Sequence, residues 1–127
     1  LCVNCEKNYY IQPHANLWGA RLKGANLKNA NLSYSNLEYA HLEGADLSYS
    51  DLTNANAQDA WLTNANLLYA KLNRAVLSGS LAGAVLGYAD LTNADLSNAT
   101  LTNANLGQAK LTDTNLNYAD LTNALLN

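Results

Sequence analysis

The stretch YADLTNADLSNATLTNANL at residues 88–106 repeats a five-residue unit, in which Ala, a polar residue and Leu are followed by two further polar residues. This period matches neither the 3.6-residue repeat of a helix nor the two-residue alternation of a strand. Repetition at a fixed period is typical of solenoids, in which each structural unit stacks on the next. The unit therefore predicts an elongated repeat architecture.

The same unit runs through most of the chain. Leu recurs every five residues from Leu17 to Leu77 and again from Leu81 to Leu126, and Ala57 replaces it at one of these 23 centres. The residue two positions before a centre is small throughout. Side chains two positions apart lie on one face of an extended segment, so each centre and the small residue before it should point inward. Because the chain contains no Phe or Met, the predicted interior is nearly all Leu and Ala.

Outward residues four units apart indicate how many sides each coil has. If four units complete one coil, such residues stack at the strand spacing of about 4.8 Å. The position before Leu then forms a column of alternating charge, and the second position after Leu forms an aromatic column. These columns are Asp51, Lys71, Asp90 and Lys110, and Tyr49, Tyr69 and Tyr88, and Lys23 would similarly lie beside Glu43. Opposite charges and aromatic rings are favourable cross-strand neighbours, so the sequence predicts a four-sided coil.

One segment, SGSLAGAVL at 78–86, is a residue shorter than two full units. We expect an irregular turn near 78–84, after which the columns resume in register. The residues of this turn are Gly79, Ser80, Leu81, Ala82 and Gly83. Its two glycines supply tight backbone geometry because they lack a Cβ. Either the leucine or the alanine could point inward there.

The unit A(D/N)LXX, as in ADLTN at 89–93 and 119–123 and ANLKN at 25–29, closely resembles the repeat of the pentapeptide repeat family. The resemblance covers residues 15–127. It implies an all-β fold, a right-handed quadrilateral parallel β-helix (a solenoid) of about five to six coils. Such a rod needs capped ends, and the apolar residues of segment 1–14 fit a short N-terminal cap over the first coil.

The cap contains the two cysteines of the chain, Cys2 and Cys5. A Cys-x-x-Cys leader just ahead of the repeats is similar to that of cyanobacterial or plastid members exported to the periplasm or the thylakoid lumen. This likeness favours export over a cytoplasmic location, and in such a compartment a Cys2–Cys5 disulfide is preferred over free thiols. A zinc site using these cysteines and His14 lacks a fourth ligand, and a redox motif would need a helix in a βαβ setting.

The rest of the chain offers few residues for chemistry. His14 and His41 are the only histidines, and the second is expected to be a solvated surface residue. Ser and Thr occupy turn positions without a positioned base, and the carboxylates are spread thinly. The net charge of −3 comes with no clustered basic patch for nucleic acid, and no apolar stretch is long enough to span a bilayer. The sequence therefore predicts no enzyme, no cofactor, no metal site and no nucleic-acid partner.

The two neighbouring columns form the most distinctive surface, a candidate binding strip. Its residues are Tyr49, Tyr69, Tyr88, Asp51, Lys71, Asp90 and Lys110. The preferred interpretation is stacking within the molecule, which tightens the coils by about 0.2–1 kcal/mol per pair. The functional interpretation is a flat surface for a protein partner, on which tyrosines provide contact area and charges set orientation.

We therefore expect a non-enzymatic structural or protein-interaction module with an unidentified protein partner. The resemblance also implies an alternative, since some family members mimic DNA and act on DNA gyrase. That activity requires an acidic surface, typically with Phe at many centres, whereas here Phe is absent and Lys71 and Lys110 interrupt the charged column. The C-terminal coil has no visible lid, and its unpaired edge raises the hypothesis of a weak end-to-end dimer.

Overall fold

The chain winds into a four-sided coil in the computed structural model, which describes residues 9–127. Parallel bridges join residues 20 apart, from Asn16–Asn36 onward, and the spacing falls to 19 where a coil contains the short unit, as at Lys71–Asp90. Each side contributes a single bridging residue, so the strands are one residue long. The four-unit register predicted from the columns is the register observed.

Each unit consists of an extended residue pair and a turn. In the unit of Asn26, the bridging asparagine precedes the buried Leu27, and the turn closes with a 3.0 Å hydrogen bond from the Ala30 amide to the Leu27 carbonyl. The third residue of the turn, Asn29, has a φ of 59°, as in type II turns. The described residues include no helix long and apolar enough to cross a bilayer.

Consecutive coils are joined by three backbone hydrogen bonds in a regular unit. The amide of Leu27 donates to the carbonyl of Asp46 at 2.7 Å, the amide of Asn29 donates to Ser48 at 3.0 Å, and the amide of Asp46 donates to Ala25 at 2.9 Å. Each such bond contributes a net stabilisation of about 0.5–1.5 kcal/mol. Because the bonds occur on every side, each coil is fixed to its neighbours around the whole perimeter.

The amide of the second turn residue points away from the neighbouring coil, and the residue before Leu satisfies it. The amide of Lys28 donates to Asn26 Oδ1 at 3.2 Å, and the amide of Ser48 donates to Asp46 Oδ1 at 3.0 Å. Asn and Asp side chains are suited to this bond two residues ahead. This contact explains why Asn or Asp so often stands before Leu, a role that sequence analysis did not assign.

The interior is a single column of Leu and small residues. Centres such as Leu22, Leu67 and Leu96 are fully buried, and Ala57 keeps the same position with 2% exposure. Ser35 and Ser50 are buried at small-residue positions, where their hydroxyls donate to backbone carbonyls. A buried hydroxyl is tolerated there because it is hydrogen-bonded.

The short unit has Leu81 fully buried and Ala82 half-buried. Gly79 takes the place of the small inward residue, and a Cβ at this position would overlap the carbonyl oxygen of Ala60. Gly83 has a φ of +67°. Ser80 bridges to Trp61 in one direction and to Thr100 in the other, so pairing continues through the shortened side.

The two ends of the described coil differ in exposure. Leu17 and Leu22 of the first coil are buried, and Tyr9 and Ile11 pack against the core. At the other end, Leu126 is 55% exposed although it occupies a centre. The predicted Cys2–Cys5 disulfide lies outside the described residues.

Candidate functional site

The aromatic column forms as a continuous stack on one corner of the rod. The ring centroids of Tyr49 and Tyr69 are 5.0 Å apart with planes 14° from parallel, and those of Tyr69 and Tyr88 are 4.8 Å apart at 11°. The three residues remain 43–53% exposed. The stack is therefore both an internal contact between coils and an accessible surface.

These tyrosines have a backbone conformation that bulky residues rarely adopt. Their φ values are 59° for Tyr49, 58° for Tyr69 and 56° for Tyr88, in the left-handed region. That region costs an ordinary L-residue roughly 1–2 kcal/mol, and Gly or Asn much less. Asn29 and Gly44 occupy the same turn position elsewhere, so tyrosine is not the residue that the turn itself favours.

A cation covers the first ring of the stack. The Nζ atom of Lys28 lies 5.6 Å from the centroid of the Tyr49 ring, within the range of a cation–π contact. Sequence analysis missed Lys28. This residue lies one coil before Tyr49, at the turn position next to the one that the tyrosine occupies. The Ser48 hydrogen bond lowers the pKa of Asp46 most, and Lys28 lowers it further, against the opposing effect of burial.

The charged column forms in the backbone but only partly in its side chains. Lys71 bridges to both Asp51 and Asp90, and Asp90 bridges to Lys110. The Nζ atom of Lys110 lies 3.6 Å from Asp90 Oδ2, whereas Lys71 makes no ion pair within 4.0 Å in the part of the chain described. Of the three ion pairs that the column predicts, Asp90–Lys110 forms, whereas Asp51–Lys71 and Lys71–Asp90 do not.

Turn hydrogen bonds orient the carboxylates of this column. Asp51 Oδ1 accepts the amide of Thr53 at 3.0 Å, and Asp90 Oδ1 accepts both the amide and the hydroxyl of Thr92. The Thr92 hydroxyl is the main cause of the lowered pKa of Asp90; burial opposes it, and Asn73 and Lys110 assist it. Each carboxylate is therefore oriented by its own turn through Oδ1, and Lys110 contacts the other oxygen of Asp90, Oδ2.

Lys23 likewise makes no ion pair with Glu43, which instead contacts a histidine. His41 Nδ1 lies 3.5 Å from Glu43 Oε1, and the ring of His41 packs edge-on against Trp61 at 4.0 Å. The His41 side chain is 36% exposed, so it is more confined than the solvated residue expected. The other carboxylate oxygen, Glu43 Oε2, is buried and has no hydrogen-bond partner among residues 9–127.

The described residues show no arrangement for nucleophilic or metal chemistry. The hydroxyls of Thr63 and Ser80 contact each other at 2.9 Å, and His14 stacks on Tyr34. Within residues 9–127, no group of three or more His, Cys, Asp or Glu is placed to bind a metal ion. The tyrosine stack and its charged neighbours are consequently the candidate site.

Comparison with known proteins places this geometry in a family. The family model for pentapeptide repeats matches eight copies, over residues 14–48, 40–79, 80–117 and 89–127. A pentapeptide repeat protein from the cyanobacterium Cyanothece is 32% identical with a TM-score of 0.53, over 71% of this chain and 66% of that one. No curated protein matches the chain.

Two further solved structures match with lower TM-scores. One is a pentapeptide repeat protein of the Arabidopsis thaliana thylakoid lumen, with 31% identity, 74% and 63% coverage of this chain and that one, and a TM-score of 0.48. The other, HetL from the cyanobacterium Nostoc, is a pentapeptide repeat protein involved in heterocyst differentiation regulation, with 34% identity, 90% and 61% coverage and a TM-score of 0.41. The chain thus spans 61–66% of the length of the three solved structures. From the family model and the Cyanothece structure, this chain belongs to the pentapeptide repeat family, whose fold is a right-handed quadrilateral β-helix.

Proposed function

We propose that this chain is a non-enzymatic interaction module that binds a protein partner along the strip of Tyr49, Tyr69 and Tyr88 and the charged column beside it. The observation that carries this proposal is the stack of three exposed tyrosines in a left-handed backbone conformation. Aromatic residues are enriched in protein interfaces. Rings already ordered by stacking lose little conformational entropy when a partner binds.

The charges beside the stack support the same proposal. Lys71 is exposed and makes no ion pair within 4.0 Å among residues 9–127, so its ammonium group is available to a partner. Asp90 and Lys110 pair with each other at 3.6 Å. A partner along this strip would therefore meet aromatic area, the cation of Lys71, the carboxylate of Asp51 and the neutralised pair of Asp90 and Lys110. Such a pattern sets orientation more than affinity.

The test uses variants that preserve the turn. Replacing all three strip tyrosines by Asn suits the left-handed φ and removes the aromatic surface. The matched control replaces Tyr39 and Tyr118, which also have positive φ but lie on another corner. We expect proteins retained from an extract of the source cells by the wild type and the control to be lost from the strip variant, and a purified partner to bind that variant at least about tenfold more weakly. Equal retention by all three proteins would overturn the proposal.

The DNA-mimic alternative is not favoured. Lys71 and Lys110 interrupt the column that such a surface would need to be acidic, and Lys110 pairs with Asp90. A DNA-supercoiling assay with gyrase is expected to show no inhibition and no protection from inhibitors. A dose-dependent effect of this chain on supercoiling would replace the present proposal with the alternative.

We also propose the domain boundaries and ends that accompany this function. Residues 1–14 form an N-terminal cap, supported by the packing of Tyr9 and Ile11 on the core and by the 2.9 Å bond from the Arg21 amide to the Tyr9 hydroxyl. Residues 15–127 form between five and six coils, with the irregular turn at 79–83. The exposed Leu125 and Leu126 support weak end-to-end dimerisation as a second contact.

We also propose that the protein resides in an oxidising compartment, the periplasm or thylakoid lumen, and that Cys2 and Cys5 are joined there as a disulfide. Two cysteines three residues apart in an otherwise cysteine-free chain suit such a compartment. Thiol labelling of protein isolated from its source is expected to detect no thiol before reduction and two afterwards. Two reactive thiols before reduction would contradict this part of the proposal.

A further inference from the structure

A cavity lies beside the last tyrosine of the strip. It has a volume of about 370 Å³ and is lined in part by Tyr88, Gly87, Gly107 and Gln108. The two glycines occupy the turn position at which earlier coils carry Lys28 and side chains such as that of Leu68. A Cβ at Gly87 would lie 3.1 Å from Leu68 Cδ1, and one at Gly107 would lie 3.1 Å from Asn105 Oδ1, so a side chain at either position would crowd the cavity.

The cavity meets the open end of the aromatic stack. Tyr69 covers one face of the Tyr88 ring at 4.8 Å, and in the next coil the column continues with Gln108, which has no ring to extend the stack. At the opposite end of the stack, Lys28 places its ammonium group over Tyr49 at 5.6 Å. The molecule therefore already uses a cation to cover one end of the stack, and the other end borders a cavity.

Most residues that line the cavity belong to the part of the chain that carries its net negative charge. Residues 1–74 carry six Lys or Arg against six Asp or Glu, so the net charge of −3 arises entirely within 75–127. The lining includes no charged side chain, so no resident cation competes for the site, and the net negative charge of residues 75–127 favours a cation over an anion.

We propose that this cavity binds a guanidinium group, the side chain of an arginine on a protein partner, stacked on the ring of Tyr88. A guanidinium is planar, stacks on aromatic faces and is more weakly hydrated than an ammonium. The carboxamides of Asn105, Gln108 and Asn127 line the cavity and supply oxygen acceptors for its donors. Asn105 Oδ1 accepts the Gly107 amide at 2.9 Å and retains a second lone pair. The inference rests on the proposed function and specifies the partner chemistry at one end of the strip.

The test is a titration of isotope-labelled protein followed by amide chemical shifts. The probes are a capped Gly-Arg-Gly peptide, the same peptide with citrulline as a neutral isostere, and maltose as a neutral ring ligand. We expect the arginine peptide to shift the amides of Gly87, Gly107 and Gln108 and to bind more tightly than the citrulline peptide by about two- to fivefold. Tyr88→Asn should lose this difference, whereas Tyr118→Asn, on another corner, should keep it.

Three outcomes would overturn the inference. They are equal binding of the arginine and citrulline peptides, stronger shifts of the same amides with maltose, and the absence of shifts with any probe. These outcomes are distinct from failure of the proposed function. If the triple strip variant loses its partner while the arginine peptide does not bind, the binding strip stands and the guanidinium site does not. If the arginine peptide binds but the triple strip variant still retains the partner, the guanidinium site stands and the binding strip does not.

Discussion

Single residues on the corners of the rod show a conflict between backbone and side chain. The turn requires a left-handed residue, for which Asn and Gly are suited, yet Tyr69 occupies it with a φ of 58°. Its ring stacks on both Tyr49 and Tyr88, and each aromatic contact contributes about 0.5–1.5 kcal/mol. Stacking therefore offsets a conformation costing roughly 1–2 kcal/mol.

This balance predicts different effects for two tyrosines at equivalent turn positions. Tyr69→Asn removes two ring contacts, whereas Tyr118 is 91% exposed and its replacement by Asn mainly relieves the backbone. We expect Tyr69→Asn to be less stable than Tyr118→Asn by about 1–3 kcal/mol in urea unfolding. Equal stability of the two variants would show that the stack contributes nothing between coils.

The turn carboxylates predict a pH dependence of stability. The pKa values of Asp46, Asp90 and Asp95 are lowered from 3.8 in the folded protein, so folding favours their ionised forms. This contribution is complete above the unfolded pKa and is lost as the pH falls through the lowered folded values. We expect the melting temperature to be level near neutral pH and to fall below a pH of about 4.

The Asp95→Asn variant supplies the control for this pH dependence. An amide oxygen can still accept the Ser97 amide, which donates to Asp95 Oδ1 at 2.9 Å, but it does not titrate. The acid-side decline should be shallower in this variant than in the wild type. A decline that begins near pH 6, or one unchanged by the substitution, would assign the acid sensitivity to other groups.

Among the repeat units, the short one shows how a missing residue is accommodated. The coil remains in register because Ser80 pairs on both sides and Leu81 fills the interior. The shortened path passes directly against Ala60, which leaves no space for a Cβ at Gly79. The close approach of the two backbones therefore requires a residue without a Cβ at position 79.

This geometry predicts a strong effect of one methyl group. Gly79→Ala should lower the free energy of unfolding by about 1–3 kcal/mol, because the backbone of two adjacent coils must separate. Gly44→Asn is the comparison, since a Cβ at Gly44 meets nothing within 4 Å and its φ of +65° suits Asn. If chemical denaturation finds the two variants equally stable, the close approach to Ala60 is wrong.

At the scale of the whole molecule, the two ends of the rod are unlike. Leu22 in the first coil is fully buried, whereas Leu126 is 55% exposed and Leu116 and Leu121 are half-buried. Exposed leucines beside a β edge favour association with a second copy, which is the basis of the proposed end-to-end dimer. The ends should therefore differ in their tendency to associate.

Light scattering over a concentration series tests this asymmetry. We expect the average mass to rise from monomer toward dimer between low micromolar and millimolar protein, and Leu126→Lys to remain monomeric because it places a charge in the contact. A substitution at the other end, Trp18→Gln on the exposed wall of the first coil, should leave association unchanged. A monomer mass at every concentration would dismiss the dimer.

The sequence by itself determined the architecture of this protein. The five-residue spacing of Leu and the small residue before it set the register between coils, since inward packing tolerates little change in side-chain size. That register also placed Tyr49, Tyr69 and Tyr88 in one column. These predictions succeeded because buried positions are constrained by volume and by the backbone hydrogen bonds that neighbouring coils share.

Only the tertiary structure decided which outward side chains meet. Asp90 pairs with Lys110 but not with Lys71. Lys28 lies over the ring of Tyr49, and His41 contacts Glu43. Outward side chains retain rotamer freedom and choose among several partners, and a turn amide competes with a lysine for each carboxylate. The physical reason is that side-chain volume restricts which residues fit the interior. On the surface, several contacts of similar energy compete, and the tertiary structure decides which of them form.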